Sequence, residues 1–152
     1  MTAQAHETII YEGEQYGMAD EPLYKYLLFY HFFRLRRRPK FVVESTACWR
    51  GYYGTWEIKD EKLYLIKLLA YTKGYKEVDI EFVFPGKREV FAWWFTGEIR
   101  IPLGKLLKYV HSGYDSVFEE DLFLAFYKGI LVNSRIEDNR DKENLDDEWV
   151  DL

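Results

Sequence analysis

Gly54-Thr55-Trp56-Glu57-Ile58-Lys59-Asp60-Glu61-Lys62-Leu63-Tyr64-Leu65-Ile66-Lys67-Leu68-Leu69 places two runs of β-forming residues on either side of a short polar centre. Asp60-Glu61-Lys62 reads as a tight turn, so the stretch predicts a β-hairpin. Trp56, in an alternating arm, belongs to the core.

Upstream of the hairpin lies the aromatic and glycine tract Cys48-Trp49-Arg50-Gly51-Tyr52-Tyr53, and before it Phe41-Val42-Val43 reads as a strand. Thr8 to Tyr11 predicts an edge strand, with Gly13 and Gly17 marking bends. Asp20-Glu21-Pro22 offers a helix start, because Asp caps exposed amides and Pro is tolerated in the first turn. Leu23, Tyr26, Leu27 and Tyr30 follow at helical spacing. Arg34, Arg36, Arg37 and Arg38 would complement the C-terminal end of that helix before Pro39 stops it.

Downstream, Val78, Ile80, Phe82 and Phe84 alternate with polar residues and predict a half-buried strand. Pro85-Gly86-Lys87 turns the chain, and Glu89 to Phe95 is expected to run back beside it. Glu98 to Ile101 predicts another strand, closed by Pro102-Leu103-Gly104. Asp121–Tyr127 and Ile130–Ile136 flank Lys128-Gly129, the best two-residue hairpin loop in the chain. The reading is mainly β, with α+β as the alternative: an antiparallel sandwich or barrel-like domain of about eight strands and one N-terminal helix.

The chain has 152 residues, enough for one core, and 19% of them are aromatic. The net charge of -5 is unevenly spread. Eight of the 26 acidic residues fall between Glu137 and Leu152, against Arg140 and Lys142 alone. Residues 1–136 therefore read as a nearly neutral β-rich domain and 137–152 as an acidic, flexible tail. One cysteine excludes an internal disulfide framework, and the N-terminus lacks a basic start followed by an apolar run. A cytoplasmic location is the expectation.

Chemistry-bearing residues are sparse. Cys48 with His111 and Asp115 is the one coherent nucleophile set, but a lone cysteine between Ala47 and Trp49 reads first as a small buried apolar residue. His6, His31 and His111 do not pair at metal-ligand spacing, and Gly51-Tyr52-Tyr53-Gly54 lacks the lysine and helix of a phosphate loop. No cofactor, metal or catalytic residue is assigned, and the leading expectation is a chain that is not an enzyme.

The functional expectation is a protein-binding module of the kind that bacterial immunity proteins and inhibitors represent. Acidic groups speed the encounter with a cationic partner, and aromatic side chains anchor it. The candidate partner-binding residues are Tyr52, Tyr53, Trp93, Trp94, Asp146, Asp147, Glu148 and Trp149. The first alternative is a small-molecule or enzymatic site lined by Tyr and Trp, with Arg50, Glu57, His111 and Asp115 for polarity. The second is single-stranded nucleic-acid binding through Arg34 to Lys40 and the aromatics around them.

Overall fold

The structure, a computed structural model, describes residues 2–29 and 40–141. The elements run β1 (Glu7–Tyr11), β2 (Glu14–Met18), α1 (Pro22–Phe29), β3 (Tyr52–Lys59), β4 (Lys62–Thr72), β5 (Lys76–Val78), α2 (Ile80–Val83), β6 (Val90–Phe91), β7 (Gly97–Lys108), β8 (Val117–Tyr127) and β9 (Ile130–Asp138). The mainly β expectation holds: 53% of the chain is strand. All nine strands join one sheet in the order β2-β1-β3-β4-β9-β8-β7, with β5 and β6 on the flank of β4.

The sheet is mixed rather than wholly antiparallel. β1 and β3 run parallel, with Ile9 opposite Trp56. Parallel neighbours need a long crossover, which β2, α1 and the segment after it provide. The far ends of the sheet also meet: the Ala19 N–H donates to the Arg100 carbonyl across 2.8 Å, bringing the end of β2 to β7. The result is barrel-like, and β1 lies inside the sheet instead of at its edge.

The predicted hairpins form for the expected reason. Asp60 and Glu61 adopt φ of 51° and 62°, and Lys128 and Gly129 adopt 48° and 81°. Such left-handed pairs match the right-handed twist of the strands they join.

Four expectations are corrected. Phe41–Val43 is irregular and holds the sheet through one bond, Val42 N–H to the Tyr71 carbonyl at 2.7 Å. Val78–Phe84 is not a strand, because the Asp79 side chain accepts the Glu81 N–H and caps α2, burying Ile80 and Val83 three residues apart. Only Val90–Phe91 of the returning segment is strand, and it pairs with β4. Pro102-Leu103-Gly104 does not end β7; the strand bulges between Leu103 and Leu106 and continues to Lys108.

Ile9, Met18, Trp56, Leu63, Leu65, Ile99, Ile101 and Leu124 fill the interior. α1 covers it with Leu23, Tyr26 and Leu27, fixed by Trp94 Nε1 donating to the Pro22 carbonyl at 2.8 Å. The basic run Arg34 to Arg38, Tyr30 and Pro39 lie outside the described residues. No described helix is long and apolar enough to cross a membrane.

β4 and β9 touch only at their starts, where Lys62 faces Ile130 and Leu131 N–H donates to the Glu61 carbonyl. Beyond that point β6 takes the edge of β4. The rest of β9 is therefore paired on one side only among the described residues.

Candidate functional site

At one mouth of the barrel, alternation carries a charged residue inward. Glu7 precedes Ile9 by two, so it shares Ile9's inner face, and parallel pairing sets it level with Gly54 of β3. The glycine leaves the space that the carboxyl fills. A Cβ at Gly54 would collide with Glu7 Oε1 and would approach Trp56 Nε1 to 3.0 Å. Trp56 Nε1 donates to Glu7 Oε1 at 3.1 Å, and Glu7 itself is buried.

Arg50 comes to the same place from the turn before β3. Its Nε lies 3.6 Å from Glu7 Oε2, and both side chains are essentially inaccessible to solvent, at 1% and 0%. Arg50 Nη1 donates to the Ala5 carbonyl at 2.9 Å and to the Tyr114 hydroxyl at 3.4 Å. The guanidinium also lies over the Tyr52 and Tyr53 rings, 5.6 and 5.4 Å from their centres.

Two loops and an N-terminal strap hold this mouth. Gln4 N–H donates to the Gly113 carbonyl, Ala5 N–H to the Ala47 carbonyl, and Trp49 N–H to Gln4 Oε1. Arg100 pins the other loop through Nη1 to the Tyr114 carbonyl and Nη2 to the Ser116 carbonyl, while its Nε meets Asp121 at 2.8 Å. Tyr114 is thereby set beside Arg50 and stacked on His6, with ring centres 5.5 Å apart.

Burial dominates the ionisation of the cluster. It raises Glu7 to about 8 against the opposing pull of Arg50 and Trp56. Glu21 is also raised by burial, and Tyr52 and Tyr114 are held well above the usual tyrosine range for the same reason. His6 is lowered, first by burial and then by Arg100 and Arg50. Arg50 is shifted upward because Glu7, Tyr114, Cys48 and Glu21 together outweigh its own burial. Within the pair Glu7 is the member that yields, so near neutral pH a buried guanidinium faces a largely protonated carboxyl.

Hydrogen bonding in the cluster is incomplete. Five buried side-chain polar atoms among the described residues have no partner, and four of them are Glu7 Oε2, Arg50 Nε, Arg50 Nη2 and the Tyr52 hydroxyl. Native interiors rarely leave such groups unpaired, and a cluster of them marks a place where water or a ligand belongs. Arg50 and Tyr52 line a cavity of about 410 Å³ whose other walls are Leu27, Lys40, Phe41, Val43 and Trp49. A larger groove of about 900 Å³ between β4 and α2 has charged walls of both signs and none of the unpaired buried atoms.

The sequence-predicted residues separate accordingly. Of Arg50, Glu57, His111 and Asp115, only Arg50 belongs to the cluster. Glu57 points outward toward Lys59 at 3.9 Å, and exposed His111 bonds the Tyr109 hydroxyl at 2.7 Å through Nδ1. Asp115 is exposed one residue beyond Tyr114. Cys48 is buried with its Sγ donating to the Tyr52 carbonyl, so it does not meet His111. Tyr52 and Trp94 are buried, which removes them as surface anchors. Tyr53 and Trp93 are exposed, at 45% and 46%. Asp146, Asp147, Glu148 and Trp149 lie outside the described residues. β9 continues to Asp138, and the Asn139 side chain donates to Phe118 and Asp121, so ordered packing extends past residue 136.

Glu7, Tyr114 and Glu21 complete the cluster, and no pattern in the sequence singles them out as a set. Glu7 carries one legible signal, an acid in phase with the inward row of a strand. No family model, curated protein or solved structure matches the chain.

Proposed function

We propose that the chain binds a small molecule in the aromatic cavity at the barrel mouth beside Arg50. The observation that carries this reading is the concentration of unpaired buried polar atoms on Glu7, Arg50 and Tyr52, two of which line that cavity. Ligand sites have this composition: apolar and aromatic walls with a few polar groups that fix orientation. The volume lies within the range of small-molecule pockets.

Trp49 offers a clean test, because it lines the cavity yet is 57% exposed and bonds through its backbone. A thermal-shift screen of the full chain against small aromatic compounds should return ligands whose stabilisation falls in Trp49→Ala. Hits that stabilise both proteins equally, or no hits at all, would count against the site.

A second reading, partner-protein binding of the inhibitor type, is favoured by β9. Val132 and Ile136 are 62% and 60% exposed on a strand with one side unpaired among the described residues. Ile136 lies opposite Leu122 and so continues an inward row into solvent. The strand ends in Glu137 and Asp138, and the sequence beyond is strongly acidic. The matching occupant is a basic, extended segment of another protein that adds to the sheet edge.

A further inference from the structure

The geometry points to a monocarboxylate with an apolar body as the ligand of the barrel-mouth cavity, its carboxylate on Arg50 and Tyr52 and its body against Phe41, Val43 and Trp49. This rests on the small-molecule reading above and adds the chemical class.

Four features select that class. The unpaired guanidinium atoms are Nε and Nη2, whose N–H bonds lie parallel on one edge of the fork, while Nη1 is committed to Ala5 and Tyr114. A parallel pair of donors matches the two oxygens of a carboxylate. The Tyr52 hydroxyl has no partner either, and it supplies a third donor of the kind a carboxylate oxygen accepts.

Charge narrows the choice to a single negative charge. Arg50 is one buried cation, and it is the group around which Glu7 and Glu21 exert their influence. Glu7 does not cancel it near neutral pH, because burial keeps that carboxyl largely protonated. Two acids beside one guanidinium nevertheless disfavour a second ligand charge, so a doubly charged phosphate is the poorer fit.

The remaining wall is apolar. Leu27, Phe41, Val43 and the Trp49 indole face the same cavity, and Lys40 adds a cation that favours anion entry. A bare anion such as acetate would leave those walls wet. An anion carrying a ring or branched chain satisfies both ends of the site.

The test uses isothermal titration of the full-length protein near pH 7 with phenylacetate, 2-phenylethanol and inorganic phosphate. Phenylacetate should bind about tenfold or more tightly than the neutral alcohol, the factor expected when a charge-assisted hydrogen-bond pair is lost. Tyr52→Phe keeps the ring and should weaken phenylacetate several-fold without affecting the alcohol. Arg50→Lys keeps the charge but loses the fork, and should weaken it further; should that variant not fold, Tyr52→Phe decides the matter. Equal binding of the alcohol, or tighter binding of phosphate, overturns the carboxylate assignment and leaves the pocket standing. Binding of none of the three overturns the assignment and the pocket together, and assigns the unpaired atoms to trapped water.

Discussion

The Trp56 indole donates to Glu7 Oε1 across 3.1 Å inside the barrel, directly beside the glycine that makes room for the carboxyl. This hydrogen bond joins β3 to β1 through side chains where the backbones already pair in parallel. It also fixes which carboxyl oxygen is used, so Oε2 is the one turned to Arg50 at 3.6 Å. The interior of this β domain is thus polar at one end, and the polarity is held in place from both strands.

Glu7 makes stability depend on pH in a definite direction. Its folded pKa is raised from 4.5 to about 8 by burial, so between those values the folded chain holds a proton that the unfolded chain releases. Its contribution is fully present below about 4.5 and declines as pH rises to about 8. Glu7→Gln should therefore be close to wild type at pH 5 and more stable at pH 8.5. The gap is bounded by about 5 kcal/mol, with Arg50, Glu21, Tyr52 and Tyr114 nearby reducing it. Urea unfolding of both proteins across this range checks the sign; a wild type that gains on the variant as pH rises would contradict it.

Gly54→Ala should destabilise the fold by about 2–3 kcal/mol, since the added methyl collides with a buried carboxyl and the adjacent indole has no room to retreat. The same methyl in a Glu7→Ala background should cost much less. A double-mutant cycle by thermal or urea denaturation measures the difference, and additivity would show that Glu7 is not what the glycine accommodates.

Much of the β architecture was legible because it is written in short-range signals. Asp60-Glu61 and Lys128-Gly129 turn where adjacent residues tolerate positive φ, and Trp56 is buried as its alternation demands. Val78–Phe84 misled because the alternation of apolar residues also satisfies one helical turn once Asp79 caps it. The parallel pairing of β1 with β3 was not legible, since it depends on where a long crossover delivers the chain. That pairing is what brings Glu7 to Arg50, so the cluster was hidden with it. Arg50 could be named as a candidate, but its partners come from residues 5, 7, 52 and 114, which no local pattern connects.

Arg100 should affect ligand binding without touching the cavity. It holds the 112–116 loop through the carbonyls of Tyr114 and Ser116 and is itself anchored by Asp121. Arg100→Gln should cost about 1–3 kcal/mol of stability, because it leaves carbonyls and a carboxylate short of partners. It should also free Tyr114 from Arg50 and His6. NMR should then show that the His6 and Tyr114 rings no longer stack, and unchanged ring signals in a folded variant would mean that the loop is held by other bonds.

Val132 and Ile136 separate folding from recognition on β9. Both are more than half exposed, so replacing them together by lysine should change stability by less than about 1 kcal/mol. If β9 accepts a basic extended strand, the same change removes the apolar stripe and places cations against a cationic partner. Selection of the wild-type protein against a random peptide library should then enrich segments that alternate β-branched residues with Lys and Arg. Their affinity should fall with added salt and be lost in Val132→Lys/Ile136→Lys. Enriched peptides that bind the double variant equally well would place recognition elsewhere on the chain, and an unfolded double variant would show that β9's exposed face contributes to the core after all.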